Sequence, residues 1–443
     1  MIRIINVNEL TAPYLVYLSL VGAKPYVLAV DPIFPPTRRI LKAIADWSVN
    51  SGRARWIIEL CPELRPIWEY TTRILFYDIF SETESWQNEY YEFSKAEQVI
   101  PRDAFAYKQL TCNYTKRMHF PFLLIQSALE SAADEPIKAV GLPVDLVAAL
   151  ENYWGKDFRP AATPMRLPNQ FINFAYSILM TTFSLFWIFW KTRPFGVSPK
   201  TFFFAADYIE DYRDIRLYDE IAEGGPVLLV VRHATIPPET RDDIRDYEKC
   251  KATDGRFTLW GALKAAAMAV GEGARLFGHF KGAPPALFYQ VAALPYRKAV
   301  LRAFFTRYRP RYYWGRDDYN VEHILRREEL HRIGGQSFGR QHGYSILANV
   351  FPMWRYISFD KYYVFGRANY VRYMKDTWAK DIEVVSAGTF GATREDYAKR
   401  LLPKPKNILV LTSSLSGDEG MIDFVRGLAG AFPDRKILLQ IKG

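Results

Sequence analysis

Cysteine is scarce in this chain. Cys61, Cys112 and Cys250 are spread over 443 residues, and no two form a Cys-x-x-Cys pair. An odd, dispersed set is neither a disulfide framework nor a zinc motif, and it fits a reducing compartment. Histidine occurs only six times. No His-Glu-x-x-His helix or cluster of acids accompanies it, so no metal is expected. The glycine fingerprints GxGxxG and GxxxxGK are both missing, which removes support for a dinucleotide-binding or P-loop ATPase reading. No RNP, KH or zinc signature is present, so nucleic acid is not an expected partner. The opening MIRIINVNEL has no basic stretch followed by an apolar one, so no secretory leader is expected and the location reads as cytoplasmic.

What is present is apolar, aromatic and basic. Hydrophobic residues make up 49% of the chain, enough for a core in each of two or three domains. Aromatic side chains reach 16% and outnumber Lys and Arg together. They suit sugars, bases or a membrane interface, and packed cores equally. The net charge of +10 and pI of about 9.2 favour anionic partners: phosphates of a nucleotide donor, an acidic leaflet or nucleic acid.

The chain pattern is α/β. IRIINV and PYVLAVD read as strands around the helix TAPYLVYLSLVG, and TRRILKAIADWSV has helical spacing at Ile40, Ile44 and Trp47. RILFYDIF reads as a strand, and 102–150 as mainly helical, so 1–165 forms an N-terminal α/β region. The uncharged run 171–190 is long enough for a membrane helix. Its polar residues Asn173, Ser177, Thr181 and Ser184 fall on one stripe. That suits a helix in a membrane interface, or packed on protein, better than a lone span. This helix sets off 166–200 as a separate, membrane-associated segment.

From Thr201 the strand–helix rhythm returns. TFFFAAD and PVLLVVRHATI flank the helix DYRDIRLYDEIAE. Two helices follow, LWGALKAAAMAV and PALFYQVAALPYRKAVLRAFF. RYYWGRDD, NVEHILRREELHRIG and QSFGRQHG then read as strand, helix and strand, a βαβ unit of a parallel sheet. Ligands sit at the carboxyl ends of such strands. Asp317, Asp318 and His342 fall at two such ends, one helix apart. YISFDKYYVFG ends at Gly366, IEVVSAGTFG at Gly388 and Gly391, and NILVLTSSLSGDEG opens a loop with Ser413, Ser414 and Ser416 before a helix. NYVRYMKDTWAK and MIDFVRGLAGAF read as helices and KILLQIKG as a last strand. The boundaries expected are 201–350 for one sheet-forming region and 351–443 for the start of another.

The order QSFGRQHG, YISFDKYYVFG, VVSAGTFG, NILVLTSSLSGDEG resembles bacterial surface- and capsular-polysaccharide glycosyltransferases of GT-B type, including the Kdo-, sialyl- and polyol-phosphate-transferring relatives that share an HG element. The resemblance covers 312–443. It implies two Rossmann-like lobes, an acceptor-side lobe at 201–350 and a donor-binding lobe from 351. The Lys-x-His-Pro element of such enzymes is not reached by Gly443, so the second lobe is expected to be incomplete. The implied donor is a nucleotide-activated sugar, with no bound cofactor. The implied acceptor is a growing or lipid-linked glycan at the inner membrane, which the protein meets as a peripheral component. A non-catalytic member of a polysaccharide export complex and a nucleotide-sugar epimerase are the rival readings.

Inverting sugar transfer needs a base on the acceptor hydroxyl and dipoles or cations on the leaving phosphate. His342 is the candidate base, with Asp317 or Asp318 as competitors or as groups that orient it. Gln341, Gly343, Gly366, Gly388, Gly391, Ser413, Ser414 and Ser416 are candidate donor-binding positions, the serines because a strand-to-helix loop presents amides to phosphate. The structural alternatives stay open: a strand-end turn at His342, helix capping by the Asp and Ser residues, and plain turns at the glycines. His233 marks another strand end. His323 and His331 lie on a charged helix and read as solvated. In RAFFTRYRPRYYWGR, Arg302, Arg307, Arg309 and Arg311 alternate with aromatics, a phosphate- or membrane-facing patch or a solvated helix end.

Overall fold

The computed structural model describes residues 2–21, 26–30, 37–56, 59, 106, 110, 137–141, 168–194, 196–209, 212–231, 244–283, 285–315, 320–341, 356–366, 378–388, 407–412 and 419–441. The chain divides into two compact units, Met1–Gly388 and Thr389–Gly443.

The first unit begins with β1 (Ile2–Val7), α1 (Ala12–Leu20), β2 (Tyr26–Val30), α2 (Arg38–Asn50), β3 (Ala54–Trp56) and β4 (Ile137–Val140). The four strands form one parallel sheet in the order β3-β2-β1-β4. Leu15 and Leu18 of α1 and Leu41 and Ala45 of α2 pack on Ile5, Val7 and Leu28. Two sequence expectations change here. Helix α2 buries Leu41, Ala45 and Ser48, whereas Ile40 and Trp47 of the expected stripe are exposed. The stretch expected to be mainly helical contains β4, which pairs with β1. The expected strand RILFYDIF and helix FPFLLIQSALESAADE lie outside the described residues.

Next come α3 (Asn169–Trp190), β5 (Thr192–Arg193), β6 (Lys200–Ala206), α4 (Tyr212–Ala222), β7 (Val227–Val230), β8 (Glu248–Cys250) and β9 (Phe257–Thr258). Three helices follow: α5 (Leu259–Phe280), α6 (Pro285–Ala292) and α7 (Leu294–Arg307). PALFYQVAALPYRKAVLRAFF, expected as one helix, is therefore two, with Ala293 between them and Pro295 inside the first turn of α7, where its missing N–H is harmless. The unit is completed by β10 (Tyr308–Gly315), α8 (Glu322–His331), β11 (Gln336–Arg340), β12 (Lys361–Val364) and β13 (Glu383–Ser386).

Seven of these strands form one all-parallel sheet in the order β13-β12-β11-β10-β6-β7-β8. The first three run outward from β6 in one direction and the last four in the other. That is the order of a doubly wound, Rossmann-like sheet with its switch point between β6 and β10. Its strands are apolar on both faces because helices cover both, as Val227 to Val230 of β7 show by all being buried. Strands β12 and β13 lie beyond residue 350, yet they pair with β11 in this same sheet.

Helix α7 is buried on more than one side. Phe304 and Phe305 pack on Phe202, Tyr308 and Tyr313 of the sheet. Ala299, Val300 and Ala303 face α3 and α5 through Trp187, Ile188, Ala262, Ala265 and Ala269. So α3 and α5 form a further layer outside α7. They run antiparallel, since Asn173 meets the end of α5 at Phe280 and Trp187 meets Phe257 ahead of its start. The short pair β5–β9 ties that end. Gly273 lets them cross closely: a Cβ there would stand 2.7 Å from Thr181 Oγ1.

The second unit holds β14 (Asn407–Thr412), α9 (Glu419–Ala431) and β15 (Lys436–Ile441), a βαβ element whose strands pair in parallel from Asn407↔Lys436 to Thr412↔Ile441.

Candidate functional site

The switch point brings together the carboxyl ends of β6 and β10, where a doubly wound sheet opens a crevice. Asp207 directly follows β6. Its carboxylate lies 2.8 Å from Arg326 of α8, and both side chains are almost wholly removed from water. The Arg326 guanidinium also stacks over the Tyr313 ring at 4.7 Å. Burial by itself would favour loss of its charge, but Asp207 outweighs burial and the group is held above its ordinary value. Such a pair persists only when both partners stay in place.

Glycine makes this geometry attainable. A Cβ on Gly315 would stand 2.3 Å from Arg326 Nη1. That nitrogen has no hydrogen-bond partner among the described residues. One strand further out, a Cβ on Gly339 would meet the Phe359 ring at 2.6 Å.

A second ion pair crosses the same edge. Arg340, the last residue of β11, reaches Asp214 in the first turn of α4 at 3.2 Å, and Asp214 is buried. Gln341 clips β11 to β12: its amide donates to the Tyr363 carbonyl at 2.8 Å, and its Oε1 accepts from the Phe365 amide at 3.2 Å. Gly366 and Gly388 follow β12 and β13 with open space where a Cβ would be, and Gly388 has φ +71°. A side chain is strained at that φ and a glycine is not.

The described floor is thus two arginines neutralised by two aspartates, over glycines that let backbone and rings approach. Among the described residues no group of three His, Cys, Asp or Glu side chains could hold a metal ion. Gln341, Gly366 and Gly388 are placed at the carboxyl edges of adjacent strands. His342, Asp317, Asp318, Gly343, Gly391, Ser413, Ser414, Ser416 and His233 lie outside the described residues.

No family model, curated protein or solved structure matches this chain. The site therefore rests on its own geometry.

Asp207, Asp214, Arg326 and Arg340 went unnoticed in the sequence. Asp207 carries a legible signal, because it ends the strand TFFFAAD as Asp317 ends RYYWGRD. The arginines carry none, since partners at this range are set by sheet order.

Other candidates resolve as framework. His323, read as solvated, is fully buried and stacks on Phe359 with ring centroids 5.0 Å apart. His331 is exposed and bonds Asp360 at 2.6 Å. Arg327 joins Asp360 at 3.0 Å and Asp381 at 2.6 Å, and Asp360 also accepts from the Ser337 amide at 2.7 Å. This network lies at the amino ends of β11, β12 and β13, away from the crevice. Arg302 forms a forked pair with buried Glu329. Arg309 and Arg311 are exposed on β10, with Arg311 over Tyr312 at 5.1 Å. Burial, then Asp254 and Glu248, push the Cys250 thiol up to about 12, so it stays protonated and unreactive.

Proposed function

We propose that this protein is a glycosyltransferase of GT-B type, moving a sugar or a polyol phosphate from a nucleotide-activated donor to a growing surface glycan. The doubly wound sheet is then the acceptor-side lobe, and the βαβ element after Thr389 belongs to the donor lobe. The observation that carries the reading is the switch point between β6 and β10, the place where doubly wound sheets bind ligands, with Arg340 and Gln341 of the GRQHG stretch at the carboxyl end of neighbouring β11. His342 would take the proton of the acceptor hydroxyl, with Asp317 or Asp318 orienting it. Ser413, Ser414, Ser416, Gly343 and Gly391 would line the donor phosphates. An activated-sugar donor and three dispersed cysteines agree with work on the cytoplasmic side of the membrane.

The test incubates the full chain with a panel of nucleotide sugars and a glycan acceptor, reading nucleotide release and product mass. Transfer that falls at least about a hundredfold in His342→Ala supports the reading. Isomerisation of the donor without acceptor would make it an epimerase. Absence of turnover across the panel would favour a non-catalytic assembly component, and unchanged transfer in His342→Ala would remove that residue from the mechanism.

A further inference from the structure

Helix α3 is amphipathic in the reverse sense for a protein bathed in water. Its 22 residues contain no charge. Asn173 and Ser184 of its polar stripe are fully buried. Asn173 Nδ2 donates to the carbonyls of Phe280, Lys281 and Ala283 at 3.3, 3.0 and 2.8 Å, capping the end of α5. Ser184 Oγ donates to the Met180 carbonyl at 2.6 Å. The polar groups of this stripe therefore face protein, while Gln170 and Thr182 are exposed. The outward stripe is Phe171, Phe174, Ile178, Leu179, Phe186 and Trp190, each more than half exposed. A surface helix normally presents the opposite arrangement.

Helix α5 extends this face. Beside the exposed stripe of α3 it exposes Trp260, Leu263 and Val270. The exposed stripe of α3 runs from Phe171 to Trp190, about 30 Å, and α5 adds to it over its first half, while beyond Val270 that helix exposes Arg275 and His279. Scattered apolar residues on a surface are ordinary, but a contiguous patch of this length marks a contact with something apolar.

Charge at one end identifies the partner. Lys191, Arg193, Arg256 and Arg307 gather where α3 ends and α5 begins. Lys191 Nζ sits 4.8 Å from the Trp190 ring and donates to the Thr253 carbonyl, and Lys264 lies over Trp260 at 5.3 Å. Arg256 and Arg307 donate to backbone carbonyls of Gly255 and Asp254. Among the described residues none of these four cations forms an ion pair with a carboxylate. Burial and then Arg256 lower Lys191 from its ordinary value, and burial followed by Arg193 and Arg307 lowers Arg256. Asp254 lies close enough to favour the charged forms of Lys191 and Arg256, but it is one carboxylate against four cations, so the cluster keeps a net positive charge. Indole rings with lysines above them, next to an apolar face, match the boundary between acyl chains and phosphates.

We infer that the outward face of α3 and α5 docks on an anionic lipid bilayer, lying in the plane of the interface with Trp190, Trp260 and the four cations at the headgroups. The rear of α3 is packed on α5, α6 and α7, so lipid meets one side only. The helix lies on the membrane rather than crossing it. A second copy of the chain, the rival occupant, would have to accept the same four cations against themselves.

The inference stands on this surface and not on sugar transfer, so the test needs neither donor nor acceptor. The full chain is sedimented with vesicles of phosphatidylcholine alone, and with 30% phosphatidylglycerol, at low and at high salt. The comparison variants are Ile178→Ser/Leu179→Ser/Phe186→Ser, whose side chains are exposed, and Arg193→Gln/Arg256→Gln. Expected is binding to anionic vesicles that weakens with salt, falls at least about tenfold in the serine variant and falls in the glutamine variant. Circular dichroism checks that each variant is folded. Equal binding by wild type and the serine variant would overturn the inference. So would a wild type that ignores both vesicle types but forms dimers that the serine variant abolishes.

Discussion

At the scale of single residues, the molecule is decided by charges taken out of water. Asp207 and Arg326 are the clearest pair. Arg326→Leu leaves the buried carboxylate without this partner and the crevice without its floor. The expected cost is about 3–5 kcal/mol, the usual penalty for breaking a buried pair from one side. Denaturant titration measures it, and a loss below about 1 kcal/mol would show that the pair carries little of the fold. Asp360 makes a second case. Burial raises its carboxyl, but the Ser337 amide, Arg327 and His331 outweigh burial and hold it below the ordinary aspartate value. A depressed folded-state value means that the contribution is complete above the unfolded value, near 4, and is lost as pH falls through the lower folded one. Melting temperature should therefore drop from about pH 4 downward, and Asp360→Asn should flatten that slope. An unaltered slope in the variant would place the acid sensitivity elsewhere. None of these pairings was legible in the sequence. NVEHILRREELHRIG reads as a charged, solvated helix, yet α8 buries His323, Arg326, Arg327 and Glu329. Hydropathy sees the charges and not the carboxylates that other strands bring to them.

At the scale of elements, the sequence was more informative about type than about facing. Strand–helix alternation located α1, α2, β6, α4, β7, β10, α8 and β11, because helical and strand periods differ strongly. Which stripe is buried follows from neighbours instead. In α2 the stripe Ile40, Ile44, Trp47 and the stripe Leu41, Ala45, Ser48 have equal helical spacing, and packing against α1 and the strands selected the second. Leu41→Ala should accordingly cost about 2–4 kcal/mol and Trp47→Ala under about 1 kcal/mol, the reverse of what side-chain size suggests. Equal losses would mean that the face is assigned wrongly. The short strands β4, β5, β8 and β9 had little pattern to find, since two to four residues hold at most two periods. In α3 the polar stripe was read correctly as one-sided, but its meaning depended on direction. Pointed inward, Asn173 serves as a cap for α5. Asn173→Ala should lower stability by about 1–3 kcal/mol, because it strips donors from carbonyls at the end of a packed helix. A neutral result in thermal unfolding would deny it that role.

At the scale of the whole molecule, the question is where the first unit ends. The expected boundary at residue 350 came from the resemblance to two-lobed enzymes. Strand pairing runs across it: β12 and β13 extend the sheet beyond residue 350, and the first unit runs to Gly388. Long-range pairing of this kind leaves no local trace, which is why strand order was unreadable while strand identity was not. Two shortened chains make the consequence measurable. A chain ending at Gly388 keeps Ile357, Phe359, Tyr362, Val364 and Trp378 together as one cluster, and keeps both carboxylates of Arg327. A chain ending at residue 350 loses that cluster. It also leaves Gly339 facing no Phe359 ring, Arg327 buried without Asp360 or Asp381, and β11 as an unprotected edge. The first should be soluble and melt in a single transition. The second should aggregate, or melt more than about 10 °C lower, since a buried cation stripped of its partners costs several kcal/mol. Equal behaviour of the two chains would place the end of the folding unit before β12, and the seven-stranded sheet would then be two pieces rather than one.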